Sequence, residues 1–161
     1  MDCSHIQFCD RPEVIDLSQL KALFDVAAFW WAKDRQIADL EIAIANSAPV
    51  ISVWDGARLI GFARAISDGI YRATIWDVVV HPDYQGAGIG RKLVETVLSH
   101  PRLNRVERVY LTTTYQKAFY ERVGFEENDI NTMVLHNRPL PCPLPPYAAE
   151  LVGTSAEGNE H

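Results

Sequence analysis

No apolar run in this 161-residue chain approaches the ~18 residues that a membrane span requires. The longest, around Val26–Ala32 and Val78–Val80, fall far short. Cysteine is scarce: Cys3, Cys9 and Cys142 are an odd set with no close pairing motif. That is no disulfide framework, and it reads as reduced thiols in a cytoplasmic setting. No Cys/His cluster has zinc-site spacing, so no metal is expected. Basic charge is also short. The formal net charge is -6, whereas a nucleic-acid binder usually presents a basic face. Neither nucleic acid nor membrane is therefore expected as a partner. Met1–Asp10 lacks a basic region followed by an apolar block, so no secretory signal is read there. It is not Arg- and Ser-rich like a transit peptide either, although a trimmed plastid form would suit a plant or algal source. There is no internal repeat.

What remains is an ordinary globular composition, 48% apolar and 22% charged. The length suits one domain that buries roughly 68–70% of its unfolded surface. Ile6–Cys9 reads as a first strand. Leu17, Leu20, Leu23, Phe24, Ala27 and Ala28 recur at helical spacing, with Asp16 or Ser18 as cap. Ile37, Leu40 and Ile44 mark a second helix. Val50–Trp54 and Leu59–Ile66 flank Asp55-Gly56, which predicts a hairpin. Tyr71–Val80 is a third long strand whose apolar end predicts burial on both faces. A helix over Gly88–Ser99, a strand over Val106–Thr112, a helix over Gln116–Arg122 capped by Gly124, and a last strand over Thr132–Leu135 follow. The order predicts a mixed α/β domain around one sheet, over residues 1–138. Five of the eight residues Pro139–Pro146 are proline, so 139–161 is expected to be an extended, flexible tail.

The segment from Val78 to Arg91 carries the chemistry. A strand ends at His81-Pro82, and Gly86, Gly88 and Gly90 then open a helix. Helix N-termini leave N–H groups unpaired and carry partial positive charge, and glycines let a phosphate approach. Gln85–Arg91 is thus a candidate pyrophosphate cradle, with Arg91 adding a formal charge; a glycine-rich turn without a ligand is the alternative. A Walker loop needs Gly-Lys-Ser/Thr, but Gly90 precedes Arg91-Lys92-Leu93. A Rossmann fingerprint begun at Gly86 needs glycine where Arg91 stands.

Gln-x-x-Gly-x-Gly after Val-x-His-Pro-Asp-Tyr resembles the acyl-CoA loop of the GNAT superfamily of N-acetyltransferases. Downstream, Ala118-Phe119-Tyr120-Glu121-Arg122-Val123-Gly124-Phe125 resembles the family's late helix, whose tyrosine faces the acyl-CoA sulfur. Ser52–Val97 is most similar to the cyanobacterial and plastid branch, which includes serotonin and arylalkylamine N-acetyltransferases and some protein lysine acetyltransferases. The resemblance implies a largely antiparallel sheet with splayed central strands, flanked by helices. It implies that backbone groups of Val78, Val79 and Val80 pair with the pantetheine arm of acetyl-CoA. Amides of Gly86, Ala87, Gly88, Ile89, Gly90 and Arg91, after Gln85, would hold the pyrophosphate. Thr113 stands where many relatives carry an Asn or Asp beside the cofactor or acceptor.

The implied reaction is direct attack of an amine on the thioester, through a tetrahedral intermediate. An alkylammonium of pKa ~10.4 lies about three units above pH 7, a cost of roughly 4 kcal/mol. Asp77 is the candidate base because it interrupts an apolar strand; an ion-paired structural aspartate is the alternative. His81 is a weaker candidate, read as a turn residue. Tyr120 is the candidate proton donor to the thiolate, or else a core tyrosine. Trp30, Trp31, Trp54, Tyr71 and Trp76 are candidates for an acceptor pocket, or for core. The expected acceptor is a small arylalkylamine such as serotonin or tryptamine. A protein lysine or N-terminal amine is the alternative, and a non-catalytic acyl-CoA-binding module the rival class. A homodimer is left open.

Overall fold

A computed structural model gives the fold and describes residues 4–136. Cys3, Cys142 and the proline-rich tail with its boundary at 138 lie outside the described residues. These fall into two units that divide between Glu126 and Glu127.

The first unit is one five-stranded sheet in the order β1 (Ile6–Cys9), β2 (Val50–Asp55), β3 (Arg58–Ser67), β4 (Arg72–Val80) and β5 (Arg108–Tyr110). The first four strands are antiparallel; β4 and β5 are parallel. A parallel neighbour needs a crossover, and α4 (Ile89–Ser99) supplies it. With α5 (Lys117–Val123) it lies on one face, where Leu93, Val94 and Val97 pack on Ile51, Val53 and Ile75. The other face is covered by α1 (Leu17–Ala27), α2 (Phe29–Ala32) and α3 (Ile37–Ala45). There Leu20, Phe24, Leu40 and Ile44 meet Val50, Phe62 and Val79. The mixed α/β layering expected from the sequence is present.

Local chemistry accounts for the ends. Asp16 caps α1 by accepting from the N–H groups of Ser18 and Gln19 at 2.8 and 3.1 Å. Asp68 holds the β3–β4 turn by accepting three backbone N–H groups, from Ile70, Tyr71 and Arg72.

Three expectations change. The short helix α2 was not foreseen, because four residues carry no periodicity. The end of β4 is not buried on both faces: Val79 is buried, Val78 and Val80 are half-buried, and Trp76 is exposed. Among the described residues, Thr132–Leu135 forms no strand; a four-residue apolar run becomes one only where a ladder partner is in register. Among the described residues, no helix is long and apolar enough to cross a membrane.

Candidate active site

The ladder between β4 and β5 joins only Arg72, Ala73 and Thr74 to Arg108, Val109 and Tyr110. β5 then stops while β4 continues for six residues, Ile75–Val80. A cleft of about 610 Å³ is lined there by the end of β4, by segment 111–116, by Phe119 and Tyr120 of α5, and by Trp30, Trp31 and Arg35 of the helical layer.

The N–H of His81 donates to the carbonyl of Ile60 on β3 at 2.8 Å. Polar groups alternate sides along a strand, so Val79 also faces β3 while Val78 and Val80 face the side where β5 is missing. All three line the cleft, but only Val78 and Val80 turn their amide and carbonyl groups to its open side. The Gln85 side-chain amide donates to the Val80 carbonyl at 3.0 Å, tying the turn to the strand end.

The glycine loop follows. Gly86 and Gly88 both have φ +81°, a region open to glycine but strained for other residues. Gly88 is the N-cap of α4 and no side chain caps the helix. The first N–H to find an intrahelical partner is that of Lys92, on the Gly88 carbonyl at 3.1 Å. The amides of Ile89, Gly90 and Arg91 precede it and are the orphan donors of the helix start. Of the loop, Gln85, Gly86 and Gly90 line the cleft, whereas the Ile89 side chain packs in the core. The Arg91 guanidinium pairs with Glu95 one turn on, at 2.7 Å.

Asp77 lines the cleft beside Val78 and is buried, with φ +58°, the one non-glycine residue among those described with positive φ. It sits where the β3–β4 register shifts, a bulge that re-aims the strand beside the cleft. Its Oδ2 accepts from Arg64 Nε at 2.6 Å and from Arg35 Nη1 at 2.7 Å. Sequence reasoning left a base and an ion-paired aspartate open, and the ion pairs are present. Both guanidiniums thus hold the same carboxylate oxygen, and the Asp77 side chain is only 3% exposed. Arg35 also stacks on Trp31 and Phe24, 5.0 and 5.2 Å from their ring centroids.

Tyr120 faces the same cleft from α5. Phe119 and Phe125 pack edge-on against its ring at 4.9 and 5.9 Å. Burial raises its pKa above the usual tyrosine value, so the hydroxyl holds its proton. Among the described residues no group bonds that hydroxyl. Thr113 also lines the cleft; its Oγ1 accepts from the Gln116 N–H at 3.0 Å at the start of α5.

Of the aromatic candidates, Trp30, Trp31 and Trp76 line the cleft. Trp54 does not: its indole donates to Ser52 Oγ at 2.8 Å and its ring packs under the helical layer. Tyr71 is exposed on the β3–β4 turn. His81 is a turn residue, accepting from the Asp83 N–H at Nδ1 and meeting Arg58 at Nε2, 3.0 Å away. Sequence reasoning missed Tyr115, which lines the cleft and meets Trp30 at 5.7 Å. It also missed the pairing of Arg35 with Asp77. Neither sits in a motif or on a periodic face.

The profile of the acetyltransferase (GNAT) family matches residues 17–125. An uncharacterized N-acetyltransferase, ycf52, of Pyropia yezoensis is 35% identical over 132 residues, 76% of this chain and 74% of that protein. Histone acetyltransferase TAP1 of Glycine max is 36% identical over 124 residues, 70% of this chain but 52% of its own length. A crystal structure from Xanthomonas campestris pv. campestris, described as belonging to the GNAT family, superposes with TM-score 0.70 at 28% identity, covering 81% of this chain and 94% of the other.

Proposed function

Because the chain belongs to the GNAT family and is an acetyl-CoA-dependent N-acetyltransferase, we propose that its acceptor is a small arylalkylamine such as serotonin or tryptamine. The observation that carries this reading is the aromatic wall of Trp30, Trp31 and Trp76 beside the exposed end of β4. Flat rings stack there for ~0.5–1.5 kcal/mol beyond area burial. Asp77 is the one carboxylate lining the cleft among the described residues, and two guanidiniums already hold it. An acidic groove suited to a lysine-rich segment is therefore not what these residues build. Acetylation of a protein amine is the second reading, favoured by the name of the soybean relative.

The residues fit acetyl-CoA as co-substrate. An extended arm needs a free strand edge, and Val78 and Val80 offer one. A diphosphate needs orphan donors, and the start of α4 offers the amides of Ile89, Gly90 and Arg91 beside Gly86 and Gly88. Acetyl-CoA supplies an activated acyl group; the chain supplies position and protons. Asp77 takes a proton from the amine through water at Oδ1, while Oδ2 stays anchored. Tyr120, kept protonated by burial, gives its proton to the departing thiolate. Thr113 sets the turn that aims α5. No covalent enzyme species forms. The free thiol of Cys9 suits a reducing compartment, the cytoplasm or a plastid.

A thiol-release assay with acetyl-CoA against serotonin, tryptamine, polyamines and a lysine peptide tests the acceptor. Turnover on the aromatic amines is expected. Turnover on the peptide alone removes the arylalkylamine assignment.

A further inference from the structure

Two aromatic residues meet at the mouth of the cleft. Trp30 stands on α2 and Tyr115 on segment 111–116, with ring centroids 5.7 Å apart at 62°. Both line the cleft, yet 64% of Trp30 and 78% of Tyr115 is exposed. Their anchorage differs. Trp30 leans on Trp31 at 6.4 Å, and Trp31 packs edge-on against the fully buried Phe24 at 5.9 Å. Trp31 also carries the Arg35 guanidinium, which is paired with Asp77 on β4. Trp30 is thus the outer end of a braced stack. Tyr115 has no such support. Its segment has no regular structure, and among the described residues its ring meets no ring or charged group but Trp30.

We propose that Trp30 and Tyr115 form a gate over the acceptor end of the cleft, Trp30 the fixed post and Tyr115 the moving leaf. The gate selects slender planar amines over lysines carried on a polypeptide. The proposal rests on the arylalkylamine reading above and adds the residues that enforce it. Rotamer changes of exposed side chains take ps–ns, so Tyr115 parts from Trp30 without backbone rearrangement. A flat ring slips through and takes over the edge-to-face contact with Trp30. A lysine within a peptide brings backbone on both sides and needs the rim held open throughout.

The test measures kcat/KM by thiol release for tryptamine and for a blocked peptide with one internal lysine. Tyr115→Ala is expected to raise the peptide-to-tryptamine ratio roughly tenfold, a discrimination typical of one steric contact. Tyr115→Phe keeps the ring and is expected to leave the ratio within about twofold of wild type. Exposed positions of this kind change stability little, so folding does not confound the result. A ratio unchanged in Tyr115→Ala, or shifted as far in Tyr115→Phe, overturns the gate while leaving the acceptor reading intact if wild type acetylates tryptamine. No turnover of tryptamine by wild type removes both.

Discussion

Tyr120→Phe removes one oxygen and leaves the ring. The ring contacts with Phe119 and Phe125 survive, and no described group loses a hydrogen bond when the hydroxyl goes. Stability is therefore expected to change by no more than about 0.5 kcal/mol. Catalysis is expected to suffer far more. A positioned acid contributes ~10²–10⁴-fold, so kcat should fall at least ~100-fold, about 2.7 kcal/mol of barrier. The pH profile separates a proton donor from a packing residue. Burial raises the Tyr120 pKa, so the protonated hydroxyl persists through its ordinary value near 10 and is lost only as pH rises through the elevated one. Wild-type kcat should therefore hold across pH 10 and fall above it, while the residual activity of the variant lacks that limb. The assay is thiol release with saturating acetyl-CoA and tryptamine, with urea unfolding alongside. A kcat within about threefold of wild type, at unchanged stability, refutes the donor role.

Asp77→Asn leaves Arg64 and Arg35 without their buried counter-charge; a loss of about 3 kcal/mol in urea unfolding is expected, as for other broken buried pairs, and a loss under about 1 kcal/mol contradicts the anchor. Gly88→Ala meets no atom within 4 Å of the new Cβ, so its cost is purely that of φ +81°, about 1–2 kcal/mol by the same measurement; a variant as stable as wild type removes the strain argument. Three backbone N–H groups hold the Asp68 carboxyl below its ordinary value. Its stabilisation is thus complete above the unfolded pKa near 3.8 and is lost as pH falls through the lower folded value. Asp68→Ala should show a shallower acid limb of stability below that point, and an identical limb contradicts the linkage.

The parts legible in the sequence were those with local chemistry. Asp16 caps α1 and the glycines open α4, each through interactions within a few residues, and the expected β2–β3 hairpin forms with its two-residue turn at Gly56 and Ala57 rather than at Asp55-Gly56. The central sheet and its helical layers followed from periodicity in Leu20, Phe24, Leu93 and Val97. What stayed hidden depends on distant partners. Arg35 reaches Asp77 across 42 positions of sequence, and Trp30 meets Tyr115 across 85. No pattern in either segment marks those meetings. The early end of β5 was equally silent: Val106–Thr112 reads as one strand, with Val109, Tyr110 and Leu111 consecutive, but only Arg108–Tyr110 finds a ladder partner on β4. The cleft exists because of that mismatch in length, which register determines and local propensity does not.

The account turns on a carrier lying along the unpaired end of β4 with its phosphates at the start of α4. Amide hydrogen exchange of the free chain and of the chain with coenzyme A tests this directly. Val78 and Val80, together with Ile89, Gly90 and Arg91, should exchange quickly alone and become protected on binding, while Val79, already turned toward β3, should change little. Protection that spares these five amides, or appears elsewhere, contradicts it.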